Sequence, residues 1–166
     1  MPGDIDAFVA LGANLGDGAA TLRAAAAGLA ALPRTRLIAR SGLYRSVPIE
    51  SRGPDYWNAV VRLRTGLAAE ALLDALLAIE ATHGRLRPAG EINAPRTLDL
   101  DLLLYGSFEL RTPRLTLPHP RMAQRAFVLA PLSEVWPEGT IDATPVAQLA
   151  ARCIARGQTI DRIGPL

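Results

Sequence analysis

A two-residue alternation between positions 98 and 104 constrains this chain more than any other feature. Leucine recurs at Leu98, Leu100, Leu102 and Leu104, with Asp99 and Asp101 between the first three. Period two is the mark of a half-buried β-strand, because successive side chains leave opposite faces. The four leucines are therefore expected on one face. Asp99 and Asp101 are expected together on the other, roughly 6.5–7 Å apart along the strand. Neighbouring carboxylates repel, and a shared cation relieves that repulsion. Oxygen ligands with open faces suit Mg²⁺, which keeps coordination positions for substrate phosphates. Ordinary solvated acids on an edge strand are the alternative reading of the same pair.

The segments before it supply partners for such a strand. Ala7 to Leu11 reads as a strand running into a glycine turn, Gly12 to Gly18, with Asp17 as a helix N-cap. An alanine-rich helix follows, with Leu22, Ala25, Leu29 and Leu32 on one face, and Pro33 ends it. A second strand is expected over 36–45, then a loop from Ser46 to Asp55. In the strand after it, Trp57, Ala59, Val61 and Leu63 point inward while Tyr56 and Asn58 point out. A second helix spans about Ala68 to Thr82, with Leu72, Leu76 and Ile79 as its core stripe. A polar loop with Arg85, Arg87, Pro88 and Gly90 leads through Arg96 into the aspartate strand.

The order β-α-β-β-α-β predicts a ferredoxin-like α+β fold: a mainly antiparallel sheet with helices on one face. Tyr56, Asn58, Asp99 and Asp101 would then share the open face, where an aromatic beside an amide suits a flat heterocycle. Further on, His119 stands between Pro118 and Pro120, among Arg114, Arg121 and Arg125. A short helix over 128–135 and another capped by Thr144, with Pro145 at its first position and Gly157 after it, add C-terminal helices. One domain over 1–166 is expected, with its core at about 7–136 and an extension at about 137–166.

Every one of the 18 basic residues is arginine. A chain without lysine has no Schiff base and no Walker-type phosphate lysine, so any phosphate is held by arginine forks. The net charge of +2 gives no argument for nucleic acid. No run of 18 apolar residues is present, so no membrane span is expected. The single cysteine, Cys153, and an opening without a signal-peptide pattern lead to the expectation of a cytoplasmic protein.

Several stretches together resemble one family, the 6-hydroxymethyl-7,8-dihydropterin pyrophosphokinases. They are Leu11-Gly-Ala-Asn-Leu-Gly-Asp17, Tyr44-Arg-Ser-Val-Pro48, Tyr56-Trp-Asn-Ala59, Gly84-Arg-Leu-Arg87, Ala94-Pro-Arg-Thr-Leu-Asp-Leu-Asp101, and Leu117-Pro-His-Pro120 running on to Arg125-Ala-Phe127. The resemblance implies transfer of the β,γ-diphosphate of ATP to a pterin hydroxymethyl group, leaving AMP, as a step of folate biosynthesis. It implies two Mg²⁺ on Asp99 and Asp101, with Arg85 and Arg96 as catalytic residues. It implies a pterin site of Ser46, Val47, Pro48, Ile49, Tyr56, Asn58 and Phe127. ATP would be met by Arg87, Leu102, Arg114, Thr116, His119 and Arg125, with ATP as co-substrate and the chain a monomer that binds neither nucleic acid nor membrane. The chain departs from the family's pattern at Ile92 and Asn93, where a basic residue and often an aromatic stand, and at Pro88. A divergent paralogue using another pterin or nucleotide is one alternative. A ferredoxin-like RNA-binding module, with aromatics stacking bases, is the other.

Overall fold

The computed structural model of the chain describes residues 4–14, 17–46, 55–83 and 98–166. Strand β1 (Ile5–Ala13) precedes helix α1 (Gly18–Ala30), where the Asp17 carboxylate accepts from the Ala20 N–H at 3.1 Å and caps the first turn. Strands β2 (Thr35–Arg40), β3 (Gly42–Ser46) and β4 (Tyr56–Thr65) follow, then α2 (Ala69–Thr82) and β5 (Asp99–Tyr105). Two-residue strands β6 (Leu110–Arg111) and β7 (Thr116–Leu117) form one small ladder, and β8 (Thr140–Ile141) with β9 (Thr144–Pro145) another. Helix α3 (Ala126–Val135) lies between these ladders; α4 (Val146–Ala155) and β10 (Ile160–Pro165) end the chain.

The main sheet is antiparallel, in the order β10-β3-β4-β1-β5, with β2 also on β4. With the β2–β3 pair counted as one strand, this is the ferredoxin-like order expected from the sequence. The strand expected over 36–45 divides at Ser41. There the Ser41 N–H donates to the Val60 carbonyl and the Ser41 hydroxyl accepts from the Val60 N–H, both at 2.9 Å. These bonds keep the kinked backbone satisfied against β4.

One face of the sheet carries Ala7, Val9, Leu11, Ala59, Val61, Leu63, Leu98, Leu100 and Leu102 against Leu22 and Leu29 of α1 and Leu72 and Leu76 of α2. Each fully buried leucine there contributes about 1.5–3 kcal/mol. The other face is half covered. Phe8, Val60, Leu103 and Leu104 pack beneath Leu129 and Leu132 of α3 and Val146 and Ala150 of α4. The added C-terminal helices therefore form a second layer, and the end of this face bearing Asp99 and Asp101 lies outside that cluster.

Three sequence expectations need correction. Leu104 does not join the other three leucines: Phe8 pairs with Leu104 but Val9 with Leu102, so Leu103 is an extra residue in a bulge and Leu104 turns to the second face. Gly12 belongs to β1 rather than to a turn, since it pairs with both Asn58 and Asp99. Thr144 does not cap the last helix; it pairs with Ile141, and Pro145 occupies the cap position of α4.

The tail also contributes a strand. β10 extends the sheet along β3, and Glu134 of α3 fastens that edge. Its carboxylate accepts from the Gly42 N–H at 3.0 Å, the Tyr44 hydroxyl at 2.5 Å and the Arg162 Nε at 3.1 Å. Burial alone raises a carboxyl pKa, yet these donors prevail and hold Glu134 below its ordinary value. Burial and the Glu134 carboxylate raise the Tyr44 phenol pKa, so Tyr44 remains a donor.

Candidate active site

Two rows of residues cross the second face. In the first, Tyr44 on β3 pairs with Asn58 on β4, Asn58 with Gly12 on β1, and Gly12 with Asp99 on β5. In the second, Val60 pairs with Ala10, and Ala10 with Asp101. Both aspartates are half-buried and on the same face, as the alternation requires. The central strand places only a glycine and an alanine between the carboxylates on β5 and the amide on β4.

Asn58 is 5% exposed, and its orientation is determined by its neighbours. Its Nδ2 donates to the Ser46 hydroxyl at 2.7 Å and to the Tyr56 carbonyl at 3.3 Å. A carbonyl can only accept, so the amide nitrogen must lie on that side. Oδ1 then faces β1, 3.7 Å from where a side-chain carbon on Gly12 would begin. Asn58 thus presents an acceptor to the open face, and Tyr56 stands half-buried beside it.

His119 borders β5. Its N–H donates to the Leu103 carbonyl at 2.9 Å, and its Nδ1 accepts from the Arg121 N–H at 3.2 Å. Burial first, then the Arg125 and Arg121 guanidiniums, lower its pKa; the Asp99 carboxylate offsets this only in part. The ring is therefore neutral at pH 7, with its proton on Nε2 as a donor. Arg125 holds its guanidinium 5.5 Å above the Phe127 ring, and both residues are half-buried.

The remaining candidates divide. Thr116 is exposed on β7. Leu102 is 3% exposed within the core under the helices, so its described position offers an adenine almost no surface. Arg114 turns to α2, donating to Glu70 at 2.9 Å and to Asp74 at 2.5 Å. Val47, Pro48, Ile49, Arg85, Arg87 and Arg96 lie outside the described residues.

Sequence reasoning missed Glu80. It is 2% exposed at the end of α2, and its Oε2 accepts from the N–H of Leu100, the residue between the two aspartates, at 2.7 Å. A signal was available: Leu72, Leu76 and Glu80 are four apart, so Glu80 continues the core stripe of α2. Among the described residues no three acidic, histidine or cysteine side chains gather as a metal cluster. Two hard carboxylates side by side on one face suit Mg²⁺ shared with substrate phosphates.

The model of the 7,8-dihydro-6-hydroxymethylpterin-pyrophosphokinase (HPPK) family matches residues 8–137. The chain belongs to this family. A 2-amino-4-hydroxy-6-hydroxymethyldihydropteridine pyrophosphokinase of Pseudomonas aeruginosa is 44% identical over 152 residues, covering 90% of this chain and 93% of the relative. One of the same description from Methylorubrum extorquens is 39% identical over 158 residues, covering 95% and 98%. Among solved structures, wild-type Plasmodium falciparum HPPK-DHPS with pteroate superposes with a TM-score of 0.73 at 13% identity, over 92% of this chain. That likeness shows the fold, and this HPPK-family chain spans 45% of the length of that two-part protein. Among the described residues no helix is long and apolar enough to cross a membrane.

Proposed function

We propose that the chain is an ATP-dependent pyrophosphokinase that converts 6-hydroxymethyl-7,8-dihydropterin to its diphosphate, with AMP as the other product, in folate biosynthesis. Family membership and the names of the relatives support the reaction class. The observation that carries the reading is the row Asn58–Gly12–Asp99, a heterocycle acceptor and a cation ligand on one open face.

The pterin hydroxyl oxygen attacks the β-phosphorus of ATP. The bond from that phosphorus to the oxygen bridging to the α-phosphorus breaks, AMP leaves with the bridging oxygen, and the hydroxyl proton is released. Such transfer depends on positioning and charge neutralisation. Asn58 Oδ1 accepts from a ring N–H or amino group, and Tyr56 and Phe127 supply aromatic faces for stacking. His119, neutral, donates from Nε2 toward phosphate oxygens, and Arg125 adds a fixed positive charge. Asp99 and Asp101 would hold Mg²⁺, which when bound neutralises charge on the transferring phosphates. Arg85, Arg87 and Arg96, and the pterin-loop residues Val47, Pro48 and Ile49, belong to the proposal through their motifs alone. ATP chemistry and a buried free cysteine, Cys153, favour a cytoplasmic setting, and a monomer is part of the proposal. Two carboxylates on the open face disfavour a nucleic acid there.

The test is incubation with ATP, Mg²⁺ and the hydroxymethyldihydropterin, with assay for AMP rather than ADP. Asp99→Asn and Asp101→Asn should each lose about 10²–10⁴ in rate, equivalent to about 3–5 kcal/mol. Their melting without metal should match wild type, and Mn²⁺ titration should show weaker metal binding. Near-normal turnover in both variants, or ADP as product, overturns the reading.

A further inference from the structure

The row across the open face holds one residue whose lack of a side chain has a specific consequence. β4 and β5 lie two strand spacings apart, roughly 10 Å, with β1 between them. Asn58 and Asp99 face each other across that gap, and the residue between them is Gly12. Gly12 is half-buried, and its φ lies outside the left-handed region, so its backbone conformation does not call for glycine. A Cβ placed there would meet Asn58 Oδ1 at 3.7 Å and the Trp57 carbonyl at 3.9 Å, ordinary contacts that need no rearrangement. Among the described residues nothing else comes within 4 Å. Among the described residues, therefore, neither backbone strain nor packing accounts for the glycine. The parallel row through Ala10 begins at Val60, which is fully buried, so it offers no comparable open track.

We propose that Gly12 is a specificity-determining residue, the floor of a corridor through which the exocyclic hydroxymethyl arm passes from the ring site at Asn58 to the phosphate site at Asp99. The inference rests on the pyrophosphokinase reading and names a subsite within it. A heterocycle hydrogen-bonded to Oδ1 must extend over β1 for its hydroxyl to reach the β5 side. A flat ring bearing a one-carbon arm has the length for that crossing. A methyl group on Gly12 would rise beside Oδ1 into the path of the arm, displacing the hydroxyl from the attacking position without touching the aspartates.

Gly12→Ala and Gly12→Ser test this. Both should melt with wild type, since the contacts of the added carbon are ordinary. Binding of a non-hydrolysable ATP analogue should stay within about twofold. Binding of a dihydropterin lacking the arm should also be nearly unchanged, while kcat/KM for the hydroxymethyl substrate falls about 10- to 200-fold, the range for one misplaced methylene-sized group. A variant-free measurement accompanies it: in the wild-type complex, the substrate's exocyclic methylene protons should show nuclear Overhauser contacts to the Gly12 α-protons. If wild type makes AMP and Gly12→Ala keeps full kcat/KM, the corridor is refuted while the reaction stands. Methylene contacts absent while ring contacts to Tyr56 are present refute it equally. A wild type that makes no AMP overturns the reaction and the corridor together.

Discussion

Truncating Glu80 tests how the site is built from beneath. The Leu100 N–H lies at the outer edge of β5, away from β1, and Glu80 supplies its acceptor at 2.7 Å inside the protein. Glu80→Ala leaves that donor buried and unsatisfied, at a cost of about 1–3 kcal/mol. The vacated volume adds a cavity cost, so a total of about 3 kcal/mol is expected. In a chain of this size that lowers Tm by roughly 6–12 °C. Glu80→Gln keeps an oxygen that can accept, and should lose less than half as much. Leu100 lies between Asp99 and Asp101, so a loosened backbone there also shifts both carboxylates. Glu80→Ala should therefore weaken Mn²⁺ binding, with Glu80→Gln intermediate. Differential scanning calorimetry and metal titration of the three proteins provide the check. Melting of the alanine variant within about 1 °C of wild type, or equal losses from alanine and glutamine, would refute the argument from the buried N–H.

Two further outcomes follow from other parts of the sheet. Asn58→Ala should weaken pterin binding by on the order of 1–3 kcal/mol while leaving ATP binding nearly unchanged, because the lost Oδ1 acceptor faces β1; equal losses for both ligands in calorimetry would count against that role. Asp6 accepts from Arg62 at 2.6 Å and Arg64 at 2.9 Å; burial opposes its charge, but the two guanidiniums prevail and lower its pKa. A lowered folded pKa contributes stability that is present above the unfolded value, about 4, and lost as pH falls through the folded value. The Tm gap between wild type and Asp6→Asn should thus be constant near neutrality and close below about pH 4; a constant gap to about pH 3 would refute the linkage.

The parts of the fold legible in the sequence are those fixed by local pattern. Alternation in β4 and β5 and the helical stripes of α1 and α2 report which face is buried, and the faces of Asn58, Asp99 and Asp101 follow directly. What was not legible depends on pairing between distant segments. The bulge that turns Leu104 arises where β5 meets β1, about ninety residues earlier in the chain, and nothing within the alternating leucines signals it. β10, with the sequence Ile-Asp-Arg-Ile-Gly-Pro, has no continuous apolar face and becomes a strand because β3 offers it an edge. Glu80 was hidden for a different reason. An acid in a helix reads as a solvent-facing residue, and only its place four after Leu76 shows that it points inward.

The half-covered second face connects the tail to the site. Residues after 137 carry no motif with chemistry, yet α4 packs with α3 beneath the buried end of the sheet. Glu134 of α3 then gathers the Gly42 N–H, the Tyr44 hydroxyl and Arg162 of β10 at one carboxylate. Tyr44 opens the row that continues through Asn58 and Gly12 to Asp99, and Ser46, two residues on, receives the Asn58 amide hydrogen bond. The orientation of the Asn58 acceptor therefore depends on β3, and the position of β3 depends on contacts from α3 and β10. The tail thus supports the Asn58 end of the row, while Glu80 holds the Asp99 end from the opposite layer. The glycine between those edges is the one position in the row where neither support extends a side chain onto the open face.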